Sequence, residues 1–348
     1  MKTVCVIGHF GFGYSLLNGQ TIKTKIIADE IEKRVGKEEL VKIDTHGGFL
    51  KLLKLPFYLL YSVVYFRNVV ILPAQNGVRL IVPLLVLFNL FFGKKLHYAV
   101  VGGWMPSLIK DKPFLQFCLK KFRGIYVETT VMKNALEKMK FSNIAVLRNC
   151  KSLNILSESE LKQNVEKPIK FCIFSRIMKQ KGIEDAVYVI NKASEKYGNN
   201  SCCLDIYGQI DNQEISWFEC LQRHFSKNIC YRGVVPFDKS VDVLKKYDAL
   251  LFPTLFYTEG VPGTIIDAYA AGLPVISSRW ESFSDVVDDG VTGFGYEFGS
   301  RDALYALICD LINNPNLIVQ KKKNCLVKVV DYLPSKAMNS LICSLYNT

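Results

Sequence analysis

Short apolar runs rich in β-branched residues alternate with longer helical patterns along this chain of 348 residues. Six runs lie in the first half and six in the second, at residues 3–8, 40–43, 69–73, 96–101, 124–128, 144–147, 169–174, 202–207, 228–233, 248–253, 273–277 and 293–297. Between runs, apolar residues recur at the spacing of one buried helical face, as at Ile183, Ala186, Val187 and Ile190. This alternation predicts an α/β fold with parallel sheets flanked by helices.

The length of the chain predicts two domains. A polar stretch at residues 151–167, closed by Pro168, is the best linker candidate. We therefore expect two Rossmann-like, doubly wound domains at residues 1–160 and 161–330, and a C-terminal helix in residues 331–348 that packs back toward the first domain. Ligands of such sheets bind beyond the carboxyl ends of the strands, so we expect the site in a cleft between the two domains.

Charge is distributed unevenly along the chain. The whole sequence carries +12, from 44 Lys and Arg against 32 Asp and Glu. Residues 1–150 contain 22 basic and 9 acidic residues, or +13, which leaves −1 for the remainder. A basic half predicts an anionic neighbour, which could be a phosphate-bearing substrate, nucleic acid or an acidic membrane surface.

Two segments of the basic half are unusually apolar. Residues 49–66 contain two charges, and residues 80–92 contain none. Neither predicts a spanning helix, because the first holds Lys51, Lys54 and Pro56 and the second is shorter than the ~20 residues that a bilayer requires. They could be buried helices packed on the sheet or helices lying in the membrane interface. Together with the positive charge, they favour peripheral contact with an anionic membrane surface.

Metal and redox chemistry are not indicated by the sequence. The 11 cysteines include no CxxC pair, and the 4 histidines form no HExxH motif, so we expect no metal site and reduced cysteines. The first residues, MKTVCVIGHFGFG, are typical of a first strand and not of a signal peptide. We expect a cytoplasmic protein, peripheral on the inner face of the membrane.

The segment from Pro253 to Ser277 carries the most specific chemistry. A predicted strand ends at Pro253, and a loop with Glu259 leads to a helix that begins near Gly263. Free amides and the positive end of the helix dipole make such a helix start a phosphate site. The predicted ligand-binding residues of this segment are Gly260, Val261, Pro262, Gly263, Thr264 and Asp267, and Gly19 in the first half belongs to the same predicted set. Pro262 suits the first helical position. Carboxylates on both sides of a phosphate site suit a nucleotide sugar, with hydroxyls flanking a diphosphate.

A second group of polar residues opens the same domain. The run at residues 169–174 leads into Arg176 and Lys181, followed by Gly182 and an amphipathic helix. A guanidinium fork and an ammonium at the end of a strand are suitable partners for a diphosphate leaving group.

These motifs resemble, in order and spacing over about 125 residues, the donor domain of family 4 retaining glycosyltransferases with the GT-B fold, of the type found in bacterial polysaccharide biosynthesis. The resemblance rests on Arg176, Lys181-Gly182, Tyr247-Asp248, Pro253-Thr254, residues 259–262, Asp267-Ala268, residues 270–276 and residues 289–294. A weaker likeness in the first half involves Gly19, Thr129-Thr130 and residues 146–149.

The resemblance implies an acceptor-binding first domain and a nucleotide-sugar-binding second domain. Arg176 and Lys181 would hold the donor diphosphate, and Glu259 would contact the transferred sugar. The amides that follow Glu259 would touch sugar and phosphate, and Asp267 would replace, one methylene shorter, the glutamate that binds the ribose hydroxyls. The donor would be a UDP- or GDP-sugar, the acceptor a glycan or a polyprenyl-diphosphate-linked sugar, and no further cofactor is implied.

The charge that develops on the departing phosphate indicates a mechanism for sugar transfer. Negative charge grows on the departing phosphate as the glycosidic bond breaks, so fixed cations aimed at it lower the barrier without a metal. Retention implies that the acceptor hydroxyl attacks from the face of the leaving group, where the phosphate can take its proton.

The early loop at residues 8–13 has GxxGxG spacing and not the GxGxxG of dinucleotide sites. We interpret it, with Gly19 and its neighbours, as the cleft wall opposite the donor. Lys23 could lie near phosphate or be solvated, and His9 is a weak catalytic candidate.

Two other classes of protein compete with the transferase hypothesis. A nucleotide-sugar epimerase, or another enzyme of GT-B build, would need its own acid and base pairs, and none is evident in the sequence. A basic nucleic-acid-binding protein would need a known module or aromatics interleaved with basic residues, and neither is visible, so we expect no nucleic acid.

Overall fold

The computed structural model describes residues 2–14, 19–47 and 49–346. Contacts divide the chain into unit 1 (Met1–Lys151 with Tyr332–Thr348) and unit 2 (Ser152–Asp331).

The described residues form twelve strands, six in each unit. The strands are β1 (Lys2–Gly8), β2 (Leu40–Asp44), β3 (Phe66–Leu72), β4 (Lys95–Ala99), β5 (Gly124–Val127), β6 (Ile144–Val146), β7 (Ile169–Phe174), β8 (Cys202–Tyr207), β9 (Ile229–Gly233), β10 (Ala249–Phe252), β11 (Val275–Ser278) and β12 (Gly293–Tyr296). The helices are α1 (Gly19–Val35), α2 (Phe49–Tyr65), α3 (Gln75–Asn89), α4 (Met105–Ile109), α5 (Pro113–Lys120), α6 (Thr130–Lys138), α7 (Ile183–Tyr197), α8 (Ile215–Gln222), α9 (Ser240–Leu244), α10 (Gly263–Ala270), α11 (Phe283–Val286), α12 (Arg301–Asn313), α13 (Asn316–Val329), α14 (Pro334–Ala337) and α15 (Asn339–Tyr346).

Unit 1 is a parallel sheet in the order β2-β1-β3-β4-β5-β6, with helices on both faces. Successive side chains of a strand point to opposite faces, and β1 shows this clearly. Cys5 and Ile7 join the core under α2 to α6, whereas Val4 and Val6 join the core under α1 and α15. Both faces of the sheet are therefore covered, which explains why its strands are mostly apolar.

Unit 2 is a parallel sheet in the order β12-β11-β10-β7-β8-β9. Its first strand, β7, is followed on one side by β8 and β9, and the chain then returns to place β10 on the other side. The strand order thus reverses between β7 and β10, which is the position where open α/β sheets bind ligands.

The predicted fold is confirmed, since each of the twelve predicted runs coincides with a strand. The largest difference is β3, which begins at Phe66 and not at residue 69 because Arg67 and Asn68 interrupt the apolar pattern. Asn68 is fully buried, and its Oδ1 lies 3.2 Å from His97 Nε2. Burial lowers the pKa of His97 to about 3, and Lys95 and Arg123 add to this shift.

The two apolar segments form α2 and α3, each with an internal proline, Pro56 and Pro83. Leu59 and Leu85 lie in the core on the sheet side of these helices. In the described ranges, no helix combines the length and the apolar character needed to cross a bilayer.

Candidate functional site

The loops that carry the predicted site residues of unit 2 follow the two strands between which the strand order reverses. Arg176 and Lys181 lie on the loop after β7, and Glu259 lies on the loop after β10. Parallel neighbouring strands end at the same edge of the sheet, so these loops meet where a ligand is expected.

Lys181 and Glu259 are in direct contact. Lys181 Nζ lies 2.5 Å from Glu259 Oε2, and their side chains are only 19% and 16% exposed. Thr254 Oγ1 donates to the same carboxylate oxygen at 3.4 Å. An ammonium has three N–H donors, so a lysine held by one bond to a carboxylate keeps further donors for a phosphate. The pair fixes a cation beside a carboxylate at the edge of the sheet.

A close approach of two backbone segments brings this pair together. Gly182 has a φ of +68°, and a Cβ at this position would lie 1.8 Å from the carbonyl oxygen of Pro253. Leu255 N–H donates to Gln180 C=O at 2.8 Å between the same two loops. Glycine is required at 182 because no side chain fits between the loops and because φ is positive.

Arg176 lies on the same loop but pairs elsewhere. Its side chain is 52% exposed, and Nη1 lies 3.5 Å from Asp211 Oδ2. The loops after β7 and β8 run side by side, since Ile177 and Ile210 form a parallel bridge. Among the described residues, no hydrogen bond or ion pair joins Arg176 to Lys181 or Glu259. Arg176, Lys181 and Glu259 are the three residues that the sequence predicts to be catalytic. The structure brings Lys181 and Glu259 into contact and places Arg176 on the loop that carries Lys181.

The start of α10 follows Glu259 closely. Ile265 N–H donates to Pro262 C=O at 3.1 Å, whereas the amides of Gly263 and Thr264 have no acceptor within the helix. Within the described part of the chain, Thr264 Oγ1 is buried and has no hydrogen-bond partner. Polar groups of this kind at the positive end of a helix can bind an anion.

Three details qualify the predictions for this segment. Pro262 lies directly before α10 with an extended ψ of 126°, and not at the first helical position as predicted. Gly260 and Val261 are buried. Asp267 is 4% exposed, and its contact with ribose stays a prediction.

Other residues of the motif support the fold of unit 2. Asp248 is buried and accepts a hydrogen bond from Lys170 N–H at 2.8 Å. Asp289 Oδ2 lies 2.5 Å from Arg279 Nη2, and Gly290 turns the chain with a φ of +75°.

In unit 1, Gly19 is the first residue of α1, and among the described residues a Cβ there would meet no atom within 4 Å. Lys23 is not solvated, so that interpretation was wrong, whereas its position near a phosphate stays a prediction. It is 2% exposed, and its Nζ lies 2.6 Å from Glu128 Oε1 and 2.8 Å from Val100 O. Its partner Glu128 lies 105 positions away in the sequence, which is why no local pattern revealed the pair.

A histidine pair that the sequence did not reveal lies at the carboxyl ends of β1 and β2. His9 Nε2 lies 2.9 Å from His46 Nδ1, and His9 Nδ1 lies 2.7 Å from Thr21 Oγ1. Burial and the neighbouring His46 lower the pKa of His9, although Asp44 opposes this shift.

Asp44 holds the early loop in place. Its carboxylate accepts hydrogen bonds from the amides of Phe10, Gly11, Phe12 and His46 at 2.8 to 3.2 Å. Burial opposes ionisation of Asp44, but these four donors outweigh burial and lower its pKa. Because Asp44 is the last residue of a strand, its position in the sequence could have indicated that it binds the amides of a neighbouring loop.

Residues 168–314 match the family model described as Glycosyl transferases group 1. This range contains Arg176, Lys181, Glu259 and α10. The matched range lies within unit 2.

Two curated relatives each match part of the chain. An uncharacterized glycosyltransferase of Methanocaldococcus jannaschii is 22% identical over 165 residues, which cover 47% of this chain and 41% of that protein. The amylovoran biosynthesis glycosyltransferase AmsK of Erwinia amylovora is 23% identical over 158 residues, which cover 44% of this chain and 38% of AmsK. The chain thus matches less than half the length of either protein.

The whole chain is similar to solved structures. HepE of Anabaena, crystallised with UDP, is 13% identical, with 99% of both chains covered and a TM-score of 0.75. A glycosyltransferase of Rickettsia africae is 14% identical, with 100% of this chain and 99% of that chain covered and a TM-score of 0.70. The fold is therefore the two-domain α/β fold of GT-B glycosyltransferases.

Proposed function

We propose that this protein is a retaining hexosyltransferase that moves a sugar from a UDP- or GDP-sugar to a glycan or polyprenyl-diphosphate-linked acceptor on the cytoplasmic side of a membrane. The observation that carries the proposal is the contact between Lys181 and Glu259 beside the start of α10, at the point where the strand order of unit 2 reverses. The HepE complexes with UDP and UDP-glucose support a uridine nucleotide. The role of AmsK in amylovoran biosynthesis supports polysaccharide synthesis.

In the proposed reaction, the bond between the anomeric carbon and the phosphate oxygen breaks while a bond from that carbon to the acceptor oxygen forms. Both bonds lie on the same face of the sugar, and the acceptor proton passes to the departing phosphate. Lys181, held by Glu259, and Arg176 stabilise the growing phosphate charge. Amides at the start of α10 bind the same diphosphate. Glu259 accepts hydrogen bonds from the sugar hydroxyls, and Asp267 from the ribose. No metal is required by these steps.

The test is a panel of nucleotide sugars with the purified protein, read by thermal shift and by nucleotide release. We expect one class of nucleotide sugar to raise the melting temperature and to be consumed. Arg176→Ala should lower nucleotide release on the order of 100-fold, because a cation that stabilises the departing phosphate is lost. Arg232→Ala is the matched control, since Arg232 is 51% exposed and also pairs with an aspartate, Asp205. No response to any nucleotide sugar would refute the proposal, and conversion of the sugar without nucleotide release would indicate an epimerase.

Gly182→Ala should weaken binding of that nucleotide sugar more than tenfold. A methyl group at 182 collides with Pro253 O and pushes Lys181 away from Glu259. Gly198→Ala is the control, because Gly198 also has a positive φ, +87°, but no atom within 4 Å of a Cβ. Both variants place an alanine at a positive φ, where backbone strain costs on the order of 1–3 kcal/mol, so the collision at 182 is the main expected difference. Isothermal titration measures the affinities, and equal affinities in the two variants would contradict this account of the loop.

A further inference from the structure

Unit 1 exposes a large number of apolar side chains on the outer surfaces of α2, α3 and α5 and on the turn after α3. The most exposed are Phe57 at 73%, Leu90 at 71%, Phe91 at 81% and Phe114 at 66%. We call this surface the apolar face. Contiguous exposed apolar patches on a folded protein mark sites of interaction.

The apolar face is one continuous surface. Helix α2 packs against α3, and α3 packs against α5. Their inward residues, among them Leu59, Leu85 and Leu119, belong to one buried core on the sheet. The sheet-facing side of each helix is thus already buried in the core. Packing on the sheet does not explain why the opposite side is apolar too.

The region that carries the apolar face is strongly basic. Residues 45–127 contain eleven Lys and Arg and one acidic residue, Asp111. Lys94 and Lys95 follow the exposed turn directly, and Lys120 and Lys121 end α5 and its cap. Lys121 Nζ lies 5.0 Å from the ring of the exposed Phe117. Basic groups therefore lie at the border of the apolar surface.

The cations crowd one edge of the sheet. Arg67, Lys95 and Arg123 stand at the amino ends of the neighbouring strands β3, β4 and β5. The pKa of Lys95 is lowered by desolvation and by the charges of Arg67 and Arg123. Helices of this unit run antiparallel to the strands that follow them, so the exposed turn after α3 lies at this same edge. An anionic partner would relieve the repulsion.

We infer that the apolar face binds an anionic lipid bilayer, with its aromatic and aliphatic side chains at the boundary of headgroups and acyl chains and its lysines on the headgroup phosphates. This combination of apolar insertion and basic contact is how interfacial helices bind membranes. A second copy of this chain fits less well, because two-fold association would set the same cations of both copies against one another. Binding to the bilayer does not depend on the proposed sugar transfer.

Flotation of the full-length protein with lipid vesicles tests this inference. We expect flotation with vesicles of phosphatidylcholine and phosphatidylglycerol at low ionic strength, and much less with phosphatidylcholine alone or at high ionic strength. Lys120→Glu with Lys121→Glu should lower the partition coefficient at least about 25-fold, because each basic residue near an anionic surface contributes about fivefold. Arg223→Glu with Lys227→Glu, two exposed basic residues of unit 2, makes the same change in net charge and should leave flotation unchanged.

A second pair of variants tests how the exposed apolar side chains contribute to vesicle binding. Leu90→Ser with Phe91→Ser should abolish flotation, whereas Val234→Ser with Val327→Ser, which are 59% and 66% exposed on unit 2, should not. Circular dichroism and the nucleotide-sugar thermal shift should be unchanged in all four variants, because the altered side chains are exposed. Absence of flotation with anionic vesicles, equal effects of test and control variants, or a dimer that Leu90→Ser with Phe91→Ser dissociates would overturn the inference.

Discussion

Lys181→Met is expected to lower the turnover of the nucleotide sugar by between about 100-fold and 1000-fold. The ammonium of Lys181 is held 2.5 Å from Glu259 and is only 19% exposed. A cation that is already oriented and largely shielded from water stabilises a developing phosphate charge without reorganisation, so its loss acts on the transition state. Nucleotide release at saturating donor measures the effect, with water as acceptor until the natural acceptor is identified.

Lys179→Met is the matched control. Lys179 lies on the same loop, but its side chain is 60% exposed and its Nζ lies 3.7 Å from Glu214. We expect turnover within about twofold of wild type, since an exposed ion pair contributes little. If Lys181→Met raises KM while kcat is unchanged, Lys181 binds the ground state and the transition state equally well. That result would refute the proposed stabilisation of the leaving group.

The strands could be predicted because most of them are buried on both faces. Val4 to Ile7 alternate between two cores of unit 1, so every residue of that run is apolar. Where a strand carries a polar residue with a buried partner, as Asn68 does with His97, the apolar run is interrupted and the predicted boundary moves.

The residues of the candidate site could be predicted because strand ends and glycines mark them. Lys181-Gly182 follows a predicted strand, and the loop after residue 253 indicated a helix start. The ion pairs could not be predicted, because they join residues that are distant in sequence. Asp211 reaches Arg176 only because the loops after β7 and β8 run in parallel, and Glu259 reaches Lys181 across 78 positions.

The buried pair of Lys23 and Glu128 carries the second large effect. Glu128→Ala should lower the free energy of unfolding of unit 1 by about 3–5 kcal/mol, because it leaves the ammonium of Lys23 buried without its counterion. Lys23 is 2% and Glu128 3% exposed, and Lys23 Nζ also donates to Val100 O at 2.8 Å. The pair therefore ties α1 to the carboxyl ends of β4 and β5.

Replacing both Lys23 and Glu128 distinguishes the effect of an unpaired buried charge from the effect of lost side-chain packing. Lys23→Met with Glu128→Leu should recover most of the stability, since two apolar side chains of similar volume leave no buried charge. Asp29→Ala is the control on the same helix: Asp29 is 58% exposed beside Lys42, and its loss should cost less than about 1 kcal/mol. Hydrogen exchange resolved by peptide reports unit 1 separately, with peptides of unit 2 as an internal reference. If Glu128→Ala leaves the protection of β4 and β5 unchanged, or if the double variant is as unstable as Glu128→Ala alone, the ion pair does not stabilise unit 1 in this way.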